Sequence, residues 1–458
     1  MNNPYDLPLL TAAEYTDTVP KYVSVMTPQG LKRIPLTELL TKSRGADRDL
    51  LLPAKYRNIS NYRVTNVLNF DFAVGANNRD FHLTFMPEVE SYDYVQLVLF
   101  SGQTANKATG ITAFVASSAN LTSTIHPTGT PVPVTWSGAG SVNLPDGTST
   151  ALAAVASDWM ALKSIARNDT PTYNLPILMV RLHLPAGGGA LLYTADGSSD
   201  FTFNSDTYWP GRRYLRFTQT GAGLDSVTTE ANFTSTSEGN TLPAMVIRLA
   251  SKHGKILTLA VTGDSISSGS RTTGGVMCGT LRAALAETSF NFPVSYCGNG
   301  WAGVTTTTYL AQAKLFNAYV HPQVHMYQVY SSNDGALTQS IADNQMQRFA
   351  DFLRDCNAND VLGCGIGPHP LQTDTLTISN LKSAMQTELN ALATTRGVPI
   401  VDRYNNLTDF TQFNGSGGYG YKAGFYYTGD NIHLIDAGAL ADAQIIRTLV
   451  QQIRNANQ

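Results

Sequence analysis

Ile256-Leu257-Thr258-Leu259-Ala260-Val261-Thr262-Gly263-Asp264-Ser265-Ile266-Ser267 is the stretch on which the reading of the fold turns. Ile256 to Val261 has the continuous apolar character of a strand covered on both faces, without the alternation of a sheet that has one wet face. A glycine then ends the run, and a serine follows where a helix begins. Downstream the same texture returns at Val294 to Tyr296, Val324 to Val329, Val361 to Ile366 and Val398 to Val401. Helical patterns alternate with these runs. One spans Val276 to Glu287, and a second carries Ala342, Met346, Phe349 and Leu353 on one face. A third carries Leu381, Met385, Leu389 and Leu392, and a last one is striped by Ile446, Leu449 and Ile453. Unalternating strands joined by helices predict an α/β region with a parallel sheet. Ligands of such sheets bind beyond the carboxyl ends of the strands, so those ends are where chemistry is expected.

Upstream the period changes to two. Between about 58 and 245, Phe81, Leu83 and Phe85 alternate with polar neighbours. Short β-branched or aromatic runs follow at Tyr94 to Phe100, Ile177 to Leu184, Tyr214 to Phe217 and Met245 to Leu249, separated by Gly, Pro, Asn and Ser. This pattern predicts a β-sandwich or jelly-roll-like region. Leu152, Val155, Trp159 and Leu162 sit at helical spacing but also suit a bulged strand. Residues 1–57 are studded with Pro and Thr and hold too few apolar residues for a core; they read as a small hairpin or extended arm. The expected domains are therefore 1–57, 58–248 and 249–458.

A chain of 458 residues exceeds one ordinary core. Its charged fraction of 14% is low beside the usual ~25%. Ser, Thr, Asn and Gln must supply the polar surface, a profile common in β-rich extracellular or virion proteins. A net charge of −3 gives no electrostatic reason to bind nucleic acid or an anionic membrane, and leaves a neutral polysaccharide acceptable. Met1-Asn2-Asn3-Pro4 opens without the basic and apolar segments of a signal peptide, and no apolar run approaches the roughly 20 residues of a membrane span. Cys278, Cys297, Cys356 and Cys364 have no metal-site spacing and read as buried free thiols.

Four strand-end or loop segments carry candidate chemistry. Gly263-Asp264-Ser265 ends the first strand, where an exposed serine lies near helix N–H groups. Gly298-Asn299-Gly300-Trp301-Ala302-Gly303 ends the second and matches G-x-G-x-x-G. A dinucleotide site would need an acidic residue about 20 positions on, yet no Asp or Glu occurs between Gly303 and Asn333. An unobstructed glycine N–H there suits an oxyanion instead. Ser331-Ser332-Asn333-Asp334 ends the third strand and offers the Asn333 amide as a neutral donor. Asp430-Asn431-Ile432-His433 precedes the last helix, with a carboxylate spaced to orient an imidazole.

Taken singly, each segment is as readily a turn or a cap. In this order and in these positions, they resemble the blocks of the SGNH (GDSL-like) hydrolase superfamily, over about residues 252–458. The GDS block matches Gly263 to Ser265, the block glycine matches Gly303 with Thr305, the N-D block matches Asn333 and Asp334, and D-x-x-H matches Asp430 and His433. The resemblance implies a three-layer, flavodoxin-like α/β/α fold. It also implies a serine esterase with Ser265 as nucleophile, His433 as base and Asp430 as orienter, and with Ser265 N–H, Gly303 N–H and the Asn333 amide as oxyanion hole. No metal or cofactor is expected. One departure stands out: the third block often reads G-x-N-D, and Ser331 replaces its glycine, narrowing the pocket or adding a hydroxyl to it. Asp264, Trp301, Ser331 and His369 are candidate cleft-lining residues. The absence of G-x-S-x-G argues against an α/β-hydrolase.

His321 and His325 are four apart but lack an H-E-x-x-H acid, and Asp196-Gly197-Ser198-Ser199-Asp200 reads as a turn, not a calcium loop. Leu31-Lys32-Arg33-Ile34-Pro35-Leu36-Thr37-Glu38-Leu39 resembles the start of many bacteriophage tail fibre and tailspike proteins. That shorter resemblance implies a virion enzyme that deacetylates bacterial surface polysaccharide (capsule, O-antigen or exopolysaccharide), attached to other tail proteins through its arm, often as a homotrimer. The alternatives are a bacterial carbohydrate esterase or lipase-like acylhydrolase, and a non-catalytic glycan-binding adhesin.

Overall fold

The computed structural model describes residues 22–27, 30–35, 57–63, 77–118 (without 86, 88, 90, 103, 104 and 106), 128–165 (without 149), 176–195 (without 190 and 192), 214–221, 241–268 (without 253–255), 294–300 and 303–456. The chain divides into two compact units, residues 1–50 and 51–458. In the first, β1 (Tyr22–Thr27) and β2 (Gly30–Pro35) pair antiparallel, from Thr27 opposite Gly30 to Tyr22 opposite Pro35. Of the small hairpin and the extended arm expected of residues 1–57, the β1–β2 pairing corresponds to the hairpin.

The second unit opens with antiparallel strands: β3 (Arg57–Arg63), β4 (Asn78–Phe85), β5 (Tyr94–Ser101), β6 (Thr112–Ser118), β7 (Thr128–Pro133), β8 (Ala153–Ala156), β9 (Met160–Ala161), β10 (Ile177–Leu184), β11 (Tyr193–Ala195), β12 (Tyr214–Gly221), β13 (Thr241–Pro243) and β14 (Met245–Ser251). One sheet has the order β12-β4-β10-β6-β7. Another has β3-β14-β5-β8, with β9 also on β5, and β11 pairs with β13. Phe81, Leu83, Val180 and Leu182 of the first sheet share a core with Val95, Leu97, Leu99 and Ile247 of the second. The ambiguous stretch at 152–162 resolves as two short strands, β8 and β9, both against β5 and separated by Ser157 to Trp159. Trp159 then packs on Ala250 and carries the Arg248 guanidinium 5.1 Å above its ring.

Strands β5 and β14 are buried on both faces, which is why Tyr94 to Phe100 reads as a nearly unbroken apolar run. Their second face joins Val98, Phe100 and Val246 to Ala260, Cys297, Phe316 and Val320 of the α/β part in one cluster, where Phe100 stacks on Phe316 at 5.7 Å. On the far side of the first sheet, the polar residues that alternate with its core positions are buried too and pair across strands. Asp80 meets His183 at 2.6 Å, and Arg181 Nε donates to His82 Nδ1 at 2.9 Å.

The α/β part contains β15 (Leu257–Gly263), α1 (Ser265–Ser268), β16 (Val294–Gly300), α2 (Thr306–Tyr319), β17 (Val324–Gln328), α3 (Gln339–Ala358), β18 (Leu362–Ile366), α4 (Leu376–Arg396), β19 (Ile400–Val401), α5 (Arg403–Leu407) and α6 (Asp436–Ala456). The sheet is wholly parallel with order β16-β15-β17-β18-β19. Relabelled in chain order this is 2-1-3-4-5, the flavodoxin-like winding that places a crevice where the order reverses beside its first strand. Ala443, Ile446 and Val450 of α6 pack on Leu259, Val261, Met326 and Ile366. Tyr309 of α2, Phe349 and Phe352 of α3, and Met385 and Leu389 of α4 pack with Tyr327 and Val329 on the opposite face. The result is a three-layer α/β/α arrangement preceded by an antiparallel β region, the fold class expected.

The helix expected at Val276 to Glu287, Cys278 and the Asp196 to Asp200 turn lie outside the described residues. Cys297, Cys356 and Cys364 are buried, the last two as free thiols. Among the described residues, no helix is long and apolar enough to cross a membrane.

Candidate active site

Ser265 stands at the end of β15, beside the point where the strand order reverses. The approach to it demands glycine: a Cβ on Gly263 would lie 2.4 Å from Ser267 Oγ and 2.7 Å from Gln328 Oε1. Those two atoms belong to a bond that holds the turn, since Ser267 Oγ donates to Gln328 Oε1 at 2.5 Å. The next residue, Asp264, is fully buried. Its Oδ1 accepts the Ile266 N–H at 2.9 Å, closing the turn around the serine, and its Oδ2 accepts the Ser331 hydroxyl at 2.7 Å. Burial pushes the Asp264 carboxyl up; hydrogen bonds from Ser331, Gln328 and the Ile266 N–H, and the Arg403 charge, oppose that rise.

From the other end of the domain, the loop before α6 brings His433 to the same place. His433 Nε2 lies 2.8 Å from Ser265 Oγ, and His433 Nδ1 lies 2.8 Å from Asp430 Oδ2. An ionised carboxylate only accepts, so Nδ1 carries the ring proton and the lone pair of Nε2 faces the serine hydroxyl. Asp430 also builds the loop that carries it: Oδ1 accepts the N–H groups of Ile432 and His433, each at 3.0 Å. Asn431 between them takes φ +59°, the left-handed conformation that Asn tolerates better than most residues. Burial works to raise the Asp430 carboxyl, but the backbone N–H groups of His433 and Ile432 and the imidazole outweigh it and hold it below its usual value. Tyr427 N–H donates to His433 O at 2.8 Å, and Gln372 N–H to Asn431 O at 3.2 Å, tying the loop to the segment after β18.

The second and third strand ends meet as well. Gly303 has φ +75° with open space where a Cβ would stand, so the left-handed backbone, not crowding, favours glycine there. Asn333 lies exposed in a 3-10 turn (Ser332–Asp334), and its side-chain amide donates to Val304 O at 3.1 Å. Asp334 anchors the start of α2, accepting from Thr306 N–H at 3.1 Å and Thr306 Oγ1 at 2.5 Å; Gln345 donates to it at 2.7 Å.

The structure therefore brings Ser265, His433 and Asp430 into one hydrogen-bonded line, and joins the Gly303 and Asn333 loops through Val304. Of the candidate cleft residues, Asp264, Ser331 and His369 are all but fully buried, and Trp301 lies outside the described residues. Ser331 points its hydroxyl at Asp264. His369 packs between Tyr330, at 5.1 Å and edge-on, and Tyr421, stacked at 6.5 Å. Burial, then the charges of Lys382 and Arg403, lower its pKa well below the ordinary histidine range. His325 is a core histidine between Thr262 Oγ1, at 2.7 Å, and Asn317 Oδ1, at 2.6 Å, with burial lowering it to about 3.

Sequence reasoning missed Gln328, which ends β17 fully buried, donates to Tyr330 O at 2.7 Å and braces the turn after Ser265. A lone amide closing an apolar strand was the available signal. It also missed Arg403, whose Nε and Nη2 grip both oxygens of Asp442 in α6 at 2.8 and 2.6 Å. Nothing local marks that pair, because its members are far apart in the chain.

No protein-family model matches the sequence, and no curated protein matches it. Among solved structures, the chain is similar to a GDSL-like lipase from Bacteroides thetaiotaomicron VPI-5482 (15% identity, TM-score 0.32, 44% of this chain and 89% of that one). It is also similar to a lipase from a goat rumen metagenome (15%, 0.33, 42% and 97%) and to the lipase/acylhydrolase from Enterococcus faecalis (14%, 0.32, 43% and 96%). All three are lipases or acylhydrolases, one of them GDSL-like.

Proposed function

We propose that this chain is a serine ester hydrolase of the SGNH type. The observation that carries the reading is the continuous contact from Ser265 Oγ through both nitrogens of His433 to Asp430 Oδ2, each link 2.8 Å. In this mechanism Ser265 Oγ attacks the ester carbonyl carbon while its proton passes to His433 Nε2, and the carbonyl π electrons move onto oxygen. The N–H groups of Ser265 and Gly303 and the amide of Asn333 receive that oxyanion, each supplying about 3 kcal/mol. Collapse expels the alcohol, which takes the proton from Nε2. Water then attacks the acyl-enzyme, gives its proton to Nε2, and the second collapse frees the acid and returns a proton to Ser265. Asp430 holds the imidazole in the required tautomer throughout.

The substrate we propose is an O-acetyl ester on bacterial surface polysaccharide, cleaved by a phage tail protein at the cell surface. Both loops assigned to the oxyanion are exposed, at Gly303 and Asn333, which suits a small acyl group on a bulky polymer. The low charged fraction of 14% suits a neutral glycan, and the Leu31 to Leu39 resemblance supports the virion setting, with the arm as attachment and a homotrimer as the assembly.

Hydrolysis of p-nitrophenyl acetate tests the chemistry: Ser265→Ala is expected to lower kcat/KM by on the order of 10⁴-fold or more. Equal rates from the two proteins would remove the esterase and leave a glycan-binding adhesin. Longer p-nitrophenyl acyl esters separate acetylesterase from lipase-like acylhydrolase, and acetate release from acetylated capsule or O-antigen tests the polymer.

A further inference from the structure

Three strand ends carry the groups assigned to the oxyanion, and the buried Ser331 hydroxyl lies between two of them. Ser331 follows β17, is fully buried, and has extended backbone at φ −133° and ψ 133°. Its hydroxyl donates to Asp264 Oδ2 at 2.7 Å, and the same oxygen accepts the Asn333 N–H at 3.2 Å. The polarity of this junction is set by chemistry. Of its two acceptors, Asp264 Oδ2 at 2.7 Å and Val304 O at 3.4 Å, the nearer and charged one takes the hydroxyl proton, and the Ser331 lone pairs are left for Asn333.

The links extend at both ends. Asp264 Oδ1 accepts the Ile266 N–H at 2.9 Å, and the Asn333 amide donates to Val304 O at 3.1 Å. One path, Ile266–Asp264–Ser331–Asn333–Val304, thus ties together the ends of β15, β17 and β16. A carbonyl at Val304 requires a donor, so it fixes which way the Asn333 amide is turned. Binding there uses one amide hydrogen and leaves the second for substrate.

We propose that Ser331 is a positioning residue: its hydroxyl transmits the placement of the buried Asp264 carboxylate to the Asn333 turn, and so sets where the Asn333 amide meets the oxyanion. This rests on the ester-hydrolase reading above. A glycine or alanine at 331 takes one donor from a buried carboxylate and the acceptor from the Asn333 N–H, and the turn that carries the amide loses its tie to the nucleophile's strand.

The test is a double-mutant cycle on p-nitrophenyl acetate with the full chain. Ser331→Ala is expected to lower kcat about tenfold with KM within about twofold, and Asn333→Ala to lower it about a hundredfold. If Ser331 acts through Asn333, the double variant is no slower than Asn333→Ala, within about twofold. An unchanged kcat in folded Ser331→Ala overturns the proposal, as do losses that multiply in the double variant. Should Ser331→Ala melt below the assay temperature, Ser331→Cys keeps the volume with a weaker donor and is carried through the same cycle with the same reading. A wild-type chain no faster than Ser265→Ala overturns the ester-hydrolase reading and this inference with it; an active wild type with an uncoupled Ser331 overturns this inference alone.

Discussion

The two oxygens of Asp430 have separate tasks. Oδ1 accepts two backbone N–H groups and shapes the loop, while Oδ2 accepts the proton on His433 Nδ1. Asp430→Asn separates the two, because an amide oxygen can still hold the loop but an amide nitrogen cannot accept from Nδ1. The imidazole is then driven to the tautomer that points a proton, not a lone pair, at Ser265. The expected outcome is a kcat lower by on the order of 10⁴-fold with the melting temperature nearly unchanged. Ester hydrolysis beside a thermal melt checks both halves. Asp430 and His433 were legible as a motif, since three residues fit within one turn. That Asp430 braces its own turn was not, because spacing does not say which oxygen faces the backbone.

At the level of elements, what positions the loop is α6, and α6 is held by Arg403 of α5. The pair with Asp442 is buried and bidentate. Removing one partner strands a charge in a low-dielectric setting, so Asp442→Asn is expected to cost about 3–5 kcal/mol of unfolding free energy. Urea unfolding measures it. Restoring neutrality with the double change Arg403→Met, Asp442→Leu is expected to recover most of the loss, since a packed apolar pair needs no solvation. Most of the described strands and the helices α3, α4 and α6 could be read from periodicity, but α2 could not. It opens with Thr306-Thr307-Thr308, β-branched residues with weak helix preference, and it forms because Asp334 holds its first turn and its apolar face meets the sheet.

Across the whole molecule, several histidines are buried as neutral rings, and this makes stability pH-dependent. His325 is lowered by burial from 6.5 to about 3, and its neighbours Thr262, Asn317, Phe316 and Phe352 carry no charge. Between these values the unfolded chain binds a proton that the folded one refuses. Its contribution is present above pH 6.5 and is lost as pH falls toward 3, at about 1.4 kcal/mol per unit. Burial lowers His82 and His369 in the same direction, whereas Asp264 and Asp374 are raised by burial and act in the opposite one. The comparison is therefore with His325→Gln. Between pH 7 and pH 5, wild type is expected to lose about 2 kcal/mol more than this variant in urea unfolding.

By itself the sequence determined which segments are strands covered on both faces, where the polar residues interrupt them, and that a serine, a histidine and an aspartate stand at strand ends or loops. Those facts follow from local periodicity and turn chemistry, which act over a few residues. Only tertiary structure decided that Ser331 turns its hydroxyl toward Asp264 and away from an open cleft, and that His369 is packed among aromatic rings. It likewise decided that β5 and β14 serve two cores at once. Such outcomes depend on which distant segments meet, and burial then sets both the partner and the charge of each group.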